Sequence, residues 1–161
     1  MPPTEGAPSG DAELVLRPGT VEDLPAVAEL YLRARAAAVP AIPPVAHPPD
    51  EVRAWVAAWD LGVHDLWLAE YDGRLAGFAL VTATWLDQLY LEPDRTGRGV
   101  GSALLGLVKA TRPDGFGLWV FESNHRARSF YRGHGLVEVE RTDGSGNEER
   151  APDVRMTWSG S

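Results

Sequence analysis

Thr96-Gly97-Arg98-Gly99-Val100-Gly101 is the stretch whose residue types most plainly suggest chemistry. Its glycines let the backbone reach dihedrals closed to other residues and come close to a ligand. The apolar run Leu86-Asp87-Gln88-Leu89-Tyr90-Leu91 before it reads as a strand that stops at Glu92-Pro93. After it, Val100, Ala103, Leu104, Leu107 and Val108 fall on one face of a helix. A strand, a glycine-rich turn and a helix in direct succession leave the N–H groups of the first helical turn free to hold an anion. Arg95 and Arg98 add positive charge, so a phosphate or pyrophosphate is the expected ligand. The turn lacks the Gly-Lys-Ser/Thr ending of a nucleoside triphosphate loop. It also lacks the third glycine of a dinucleotide fingerprint, and no acidic residue ends a following strand about 20 residues on.

A second candidate is Asp87, a charge in an apolar strand that needs a partner. Either it binds or polarises an amine, or it hydrogen-bonds a neighbouring loop. The chain has no cysteine, which excludes disulfides, thiolate metal sites and a cysteine nucleophile. A net charge of −8 argues against nucleic-acid binding through bulk charge and leaves room for a cationic substrate. No apolar run approaches the roughly 20 residues of a membrane span and no signal-peptide core is present, so the cytoplasm is the expected location. At 161 residues, 44% of them hydrophobic, one packed domain is expected.

The elements that must position these residues follow from periodicity. Met1 to about Ala12 is rich in Pro, Gly and Ser and reads as a disordered tail, leaving 13–159 as the domain. Glu13 to Arg17 is a short strand, and Thr20 caps a helix that buries Leu24, Val27, Ala28 and Tyr31. Five prolines between Pro40 and Pro49 stiffen a loop that carries His47. A second helix begins near Asp50 and is expected to bury Val52, Trp55, Val56 and Trp59. Strands 66–71 and 75–81 flank the hairpin signal Asp72-Gly73. In the strand from Trp85 to Leu91, strict alternation puts Trp85, Asp87 and Leu89 on one face and Leu86, Gln88 and Tyr90 on the other. Gly117 to Phe121 is the next strand. Ser123 or Asn124 then caps a helix whose inner face is Ala127, Phe130 and Tyr131, with Gly135 suited to its left-handed end. Two closing strands, 137–142 and 154–158, are joined by the acidic loop Asp143 to Asp153.

The glycine turn resembles the acetyl-CoA-binding motif of the GNAT superfamily of N-acetyltransferases, Gln/Arg-x-x-Gly-x-Gly/Ala. Gly99 and Gly101 match its small positions, while Thr96 stands where Gln or Arg is usual, with Arg95 and Arg98 beside it as replacements. The opening Arg17-Pro18-Gly19-Thr20-Val21-Glu22-Asp23 resembles the start of such domains. The block Asn124, Ala127-Arg128-Ser129-Phe130-Tyr131, Gly135-Leu136 is similar to a second hallmark, Ala-x-x-Phe-Tyr-x-x-x-Gly-Phe, with Leu136 for the final Phe. The likeness runs from about Leu14 to Trp158. It implies an α/β (α+β) fold: a central mixed, mostly antiparallel sheet of six to seven strands, splayed in a V and flanked by about four helices.

The same resemblance implies acetyl transfer from acetyl-CoA to a primary amine by direct attack, without a metal. Leu89, Tyr90, Leu91, Arg95, Thr96, Gly97, Arg98, Gly99, Val100, Gly101, Ser102, Asn124, Ala127 and Tyr131 would hold the donor. Tyr131 would be the general acid, and the backbone N–H of Leu91 or Tyr90 would meet the thioester oxygen. Glu122 is the first choice for the base, with Glu92 and Asp87 as rivals. His47, Trp85, Asp87 and Glu122 would face the acceptor, and Glu148, Glu149 or Asp153 of the acidic loop could draw in an ammonium group. A small-molecule amine is the leading acceptor; a protein N-terminus or lysine is a second. A non-catalytic acyl-CoA-binding module is the alternative class. A homodimer formed through the exposed final strand would fit the family.

Overall fold

The computed structural model describes residues 13–160, so the expected tail lies outside the described residues. In chain order the elements are β1 (Leu14–Pro18), α1 (Leu24–Ala38), α2 (Pro49–Ala57), β2 (Asp65–Tyr71), β3 (Arg74–Val81), β4 (Leu86–Leu91), α3 (Val100–Thr111), β5 (Phe116–Phe121), α4 (His125–Gly133), β6 (Val137–Thr142) and β7 (Asp153–Trp158). The mixed α/β architecture has seven strands and four α-helices, within the expected six to seven strands and about four helices. The strands form two antiparallel sheets, β1-β2-β3-β4 and β5-β7-β6.

The sheets meet at one place. Trp85 and Gly117 form a parallel bridge, and the Gly117 N–H donates to the Thr84 carbonyl at 2.9 Å. The Trp85 indole lies so close over Gly117 that a Cβ there would sit 2.9 Å from it. Beyond this point β4 and β5 have no further pairing and diverge, giving the V. The final strand is not an edge: β7 lies between β5 and β6, and β6 is the outer strand. This corrects the expectation of a free final strand.

Strict alternation in β4 also fails. Leu80 pairs with Gln88 while Val81 pairs with Leu86, so Asp87 is the extra residue of a β-bulge. As a result Leu86 joins Leu89 on the face packed against α3, whereas Tyr90 packs on the α1 face beside Phe78 and Tyr31. The two cores follow the two faces. Ala79, Val81, Val100, Leu104 and Leu105 pack with β5 and β7; Val27, Leu30, Val52, Val56, Leu68 and Phe78 pack under α1 and α2. Trp55, expected inside, is 44% exposed.

α1 is entered through a tight turn at Val21–Asp23. The Asp23 carboxylate accepts the Thr20 N–H at 2.8 Å and is gripped by the Arg17 guanidinium at 2.8 and 3.0 Å. Arg17 also holds Glu70 of β2, so this cluster ties the helix start to the sheet. The Arg17 guanidinium holds the Asp23 carboxyl well below the usual carboxylate range. A depressed native pKa stabilises the fold above the unfolded value and is lost as pH falls through the native one. Asp23→Asn should therefore lower stability by about 1–2 kcal/mol at neutral pH. In denaturant titrations the difference from wild type should shrink below about pH 4; a gap unchanged at low pH would refute this account.

Candidate functional site

Three cavities line up across the V. The first, about 480 Å³, lies between the glycine turn and α4 and is walled by Leu89, Leu91, Thr96, Gly97, Gly99, Gly101, Ser102, Asn124, Arg126, Ala127, Phe130 and Tyr131. Gly97 and Gly99 have φ of 76° and 82°, the left-handed region, and the space beside both is open. Gly99 caps α3, and the first helical bond runs from the Ala103 N–H to its carbonyl. The N–H groups of Val100, Gly101 and Ser102 are thus free at a helix N-terminus, as an anion site requires. Gly101 has a different reason: a Cβ there would press on Phe130 and Leu91 at 3.3 and 3.4 Å.

The second cavity, about 190 Å³, is the cleft between the diverging strands. It shares Leu89, Asn124, Ala127 and Tyr131 with the first and Asp87, Gln88, Tyr90, Phe121 and Glu149 with the third. The Glu92 N–H bonds the Ala76 carbonyl at 2.8 Å, and Tyr90 lies opposite Phe78. Antiparallel alternation then points the Tyr90 N–H at β3 and the Leu89 and Leu91 N–H groups into the cleft. Asn124 caps α4, its Oδ1 accepting the Ala127 N–H at 3.2 Å. Tyr131 is 8% exposed and borders both this cleft and the first cavity. Burial, with the nearby Tyr90 as a smaller cause, holds its phenol well above the ordinary value.

The third cavity, about 610 Å³, lies under the proline loop and the β6–β7 loop and is walled by Tyr31, Arg35, Trp55, Tyr90 and Phe121 with His47, Glu51, Asp87, Glu148 and Glu149. The β6–β7 loop is built to reach it. A Cβ at Gly144 would lie 2.3 Å from Ala151, and Asn147 bonds the Ala151 carbonyl and N–H at 2.7 and 3.2 Å. Burial pushes the Tyr90 phenol up to about 12.

The expected residues distribute unevenly. Ten of the donor-side residues line the first cavity, but Arg95 stacks on Tyr71 at 5.0 Å, Val100 is buried in the core, and Arg98 lines none of the three cavities. Trp85 sits at the vertex. Glu122 lines none of the three cavities and faces Arg141 at 3.5 Å; Glu92 is held by Arg33 at 2.6 and 2.9 Å. Of the proposed bases only Asp87 borders the cleft, with His64 Nε2 3.2 Å from its carboxylate. Sequence reading missed His64, Arg35, Arg126, Gln88 and Asn147, none of which carries a local signal. Among the described residues there is no cluster fit for a metal and no helix long and apolar enough to cross a membrane.

His47 closes the rim, its Nδ1 2.9 Å from Glu51 and its Nε2 2.8 Å from Glu148. Bonds to Glu51 first, then Glu148, raise its pKa above the ordinary 6.5. A raised native pKa means the clamp is complete below 6.5 and released as pH rises through the native value. An NMR titration should find His47 above 6.5, and Glu148→Gln should bring it back down; an unchanged midpoint in the variant would show that the rim contact does not form in solution.

Comparison with known proteins agrees with this geometry. Residues 25–136 match the model of the acetyltransferase (GNAT) family. The chain is 28% identical to the peptidyl-lysine N-acetyltransferase YiaC of Escherichia coli K12, over 89% of this chain and 96% of that one. Its fold is similar to the solution structure of apo YjaB from Escherichia coli (TM-score 0.74, 23% identity, 92% of this chain and 99% of that one). It is also similar to YncA, a putative acetyltransferase from Salmonella typhimurium solved with acetyl-CoA (TM-score 0.70, 17% identity, 91% and 93%). The chain belongs to the acetyltransferase (GNAT) family and is an N-acetyltransferase whose acetyl donor is acetyl-CoA.

Proposed function

We propose that residues 13–159 form a catalytic domain that acetylates the primary amine of a small molecule by direct attack, with Tyr131 as general acid. The observation that carries this reading is the narrow cleft that shares walls with both larger cavities and contains Tyr131 and Asp87. The donor side fits its ligand: the free N–H groups of α3 suit a pyrophosphate, and the open space beside Gly97 and Gly99 admits it. Arg126 supplies positive charge at that mouth.

The acceptor amine enters from the aromatic cavity as an ammonium and must lose a proton before attack. Asp87 takes that proton, directly or through water, and His64 keeps its carboxylate in place. The Leu89 N–H, on the cleft side of β4 and at the border of both cavities, donates to the carbonyl oxygen as charge builds on it. Tyr131, kept protonated through neutral pH by its burial, gives its proton to the departing thiolate. Glu122, occupied by Arg141 outside the cleft, is the weaker candidate for the base.

A second reading is favoured by one observation, the relative named as a peptidyl-lysine acetyltransferase. On that reading the open rim at Trp55 and Glu148 receives a lysine side chain from a protein. A thiol-release assay with acetyl-CoA against small amines and lysine peptides separates the two. Tyr131→Phe should lose about 10²-fold in kcat while acetyl-CoA binding, measured by calorimetry, is retained. A mutant as fast as wild type would remove Tyr131 from the mechanism.

A further inference from the structure

We propose that the acceptor carries a carboxylate as well as its amine, and that Arg35 reads that carboxylate; the proposal rests on the acetyl-transfer reading of the same site and names its substrate class. Arg35, in the last turn of α1, is 4% exposed and forms part of the wall of the acceptor cavity. Its hydrogen bonds go to neutral oxygens, the Tyr31 hydroxyl at 2.9 Å and the Pro43 carbonyl at 3.1 Å. The buried Nε has no partner. The one charged partner of Arg35 among the described residues is Glu149, an ion pair at 3.6 Å without a hydrogen bond. The guanidinium carbon lies 5.7 Å from the centroids of both the Tyr31 and the Phe121 rings, a cation–π contact with each.

A charge withdrawn this far from water calls for a directly bonded counter-ion. The molecule meets that demand elsewhere: Arg128, the other buried arginine among the described residues, is bonded to Glu138 at 2.8 Å. Around Arg35 the other acids are taken. Glu51 and Glu148 are bound by His47, and Asp87 faces His64. A directly hydrogen-bonded anion, which Glu149 does not supply, is left to come through the cavity. Arginine matches a carboxylate bidentately, and its fork makes that match selective. Phe121 and Tyr90 border both the cleft and this cavity, so one small molecule can place its amine toward Asp87 and its carboxylate toward Arg35. The ligand is thus a free amino acid or a related amino-carboxylate.

The test is thiol release from acetyl-CoA with free amino acids, their carboxamides and the corresponding decarboxylated amines. Wild type should favour the acids by about 10- to 100-fold in kcat/KM, the range of a charge-assisted pair. Arg35→Gln should erase that preference through KM, bringing the acids down to the level of the amides within the same variant, and Arg35→Lys should restore part of it. Glu149→Gln, which removes the competing carboxylate from an outer loop, should sharpen the preference even where Arg35→Gln fails to fold. Equal or better turnover of amides or amines overturns the proposal and leaves acetyl transfer intact, as does a C-terminally blocked lysine peptide as the best acceptor. A preference for acids that survives Arg35→Gln, or is unmoved by Glu149→Gln, also overturns it. No thiol release with any amine defeats the transfer reading, and the proposal with it.

Discussion

The parallel contact of Trp85 with Gly117 is the constraint on which the site depends. It joins two separately complete antiparallel sheets at a single point, and only glycine leaves room for the indole that seals it. Past that vertex β4 has a neighbour on one side alone. Its Leu89 and Leu91 N–H groups then have no strand to bond. Backbone polar groups away from water require partners, so a strand left half-paired at the centre of a molecule is a standing demand for a ligand. The bulge at Asp87 adds to this by turning a charged residue toward the cleft mouth within an otherwise apolar strand.

Charge is managed by a different means on each side of the cleft. Around its periphery the acids are matched by arginines: Glu92 by Arg33, Glu138 by Arg128, Glu140 by Arg155. At the acceptor side His47 meets Glu51 and Glu148, His64 meets Asp87, and the one arginine, Arg35, faces Glu149 at 3.6 Å. Imidazole is the side chain whose charge changes near neutral pH, so the rim that His47 closes is one place where the acceptor wall responds to physiological conditions. Exposed pairs of this sort contribute little to stability, which leaves them free to serve recognition.

Local signals were legible in the sequence wherever a residue type has one conformational use. Asp72 and Gly73 both adopt positive φ at the β2–β3 hairpin, Gly99 and Gly135 take left-handed positions, and Asn124 caps α4. What sequence could not show is decided over long separations. The bulge in β4 is a mismatch with β3, so strict alternation misplaced Leu86. Trp55 fits a helical apolar stripe, but no element covers it. Glu122 and Glu92 look like free bases until Arg141 and Arg33 are seen against them. Arg35 carries no signal of its own in the sequence, and its burial among the proline loop and the β6–β7 loop is decided by the fold.

The β6–β7 loop closes on itself, through Gly144 against Ala151 and Asn147 astride the same residue, before it presents Glu148 and Glu149 to the cavity. Its shape is thus set by its own short-range contacts and not by the residues it displays. Such a loop can change exposed Glu148 and part-buried Glu149 without disturbing either core. Divergence of acceptor choice among descendants of this chain can therefore proceed on this rim alone, while the half-paired strand and the glycine turn stay as they are.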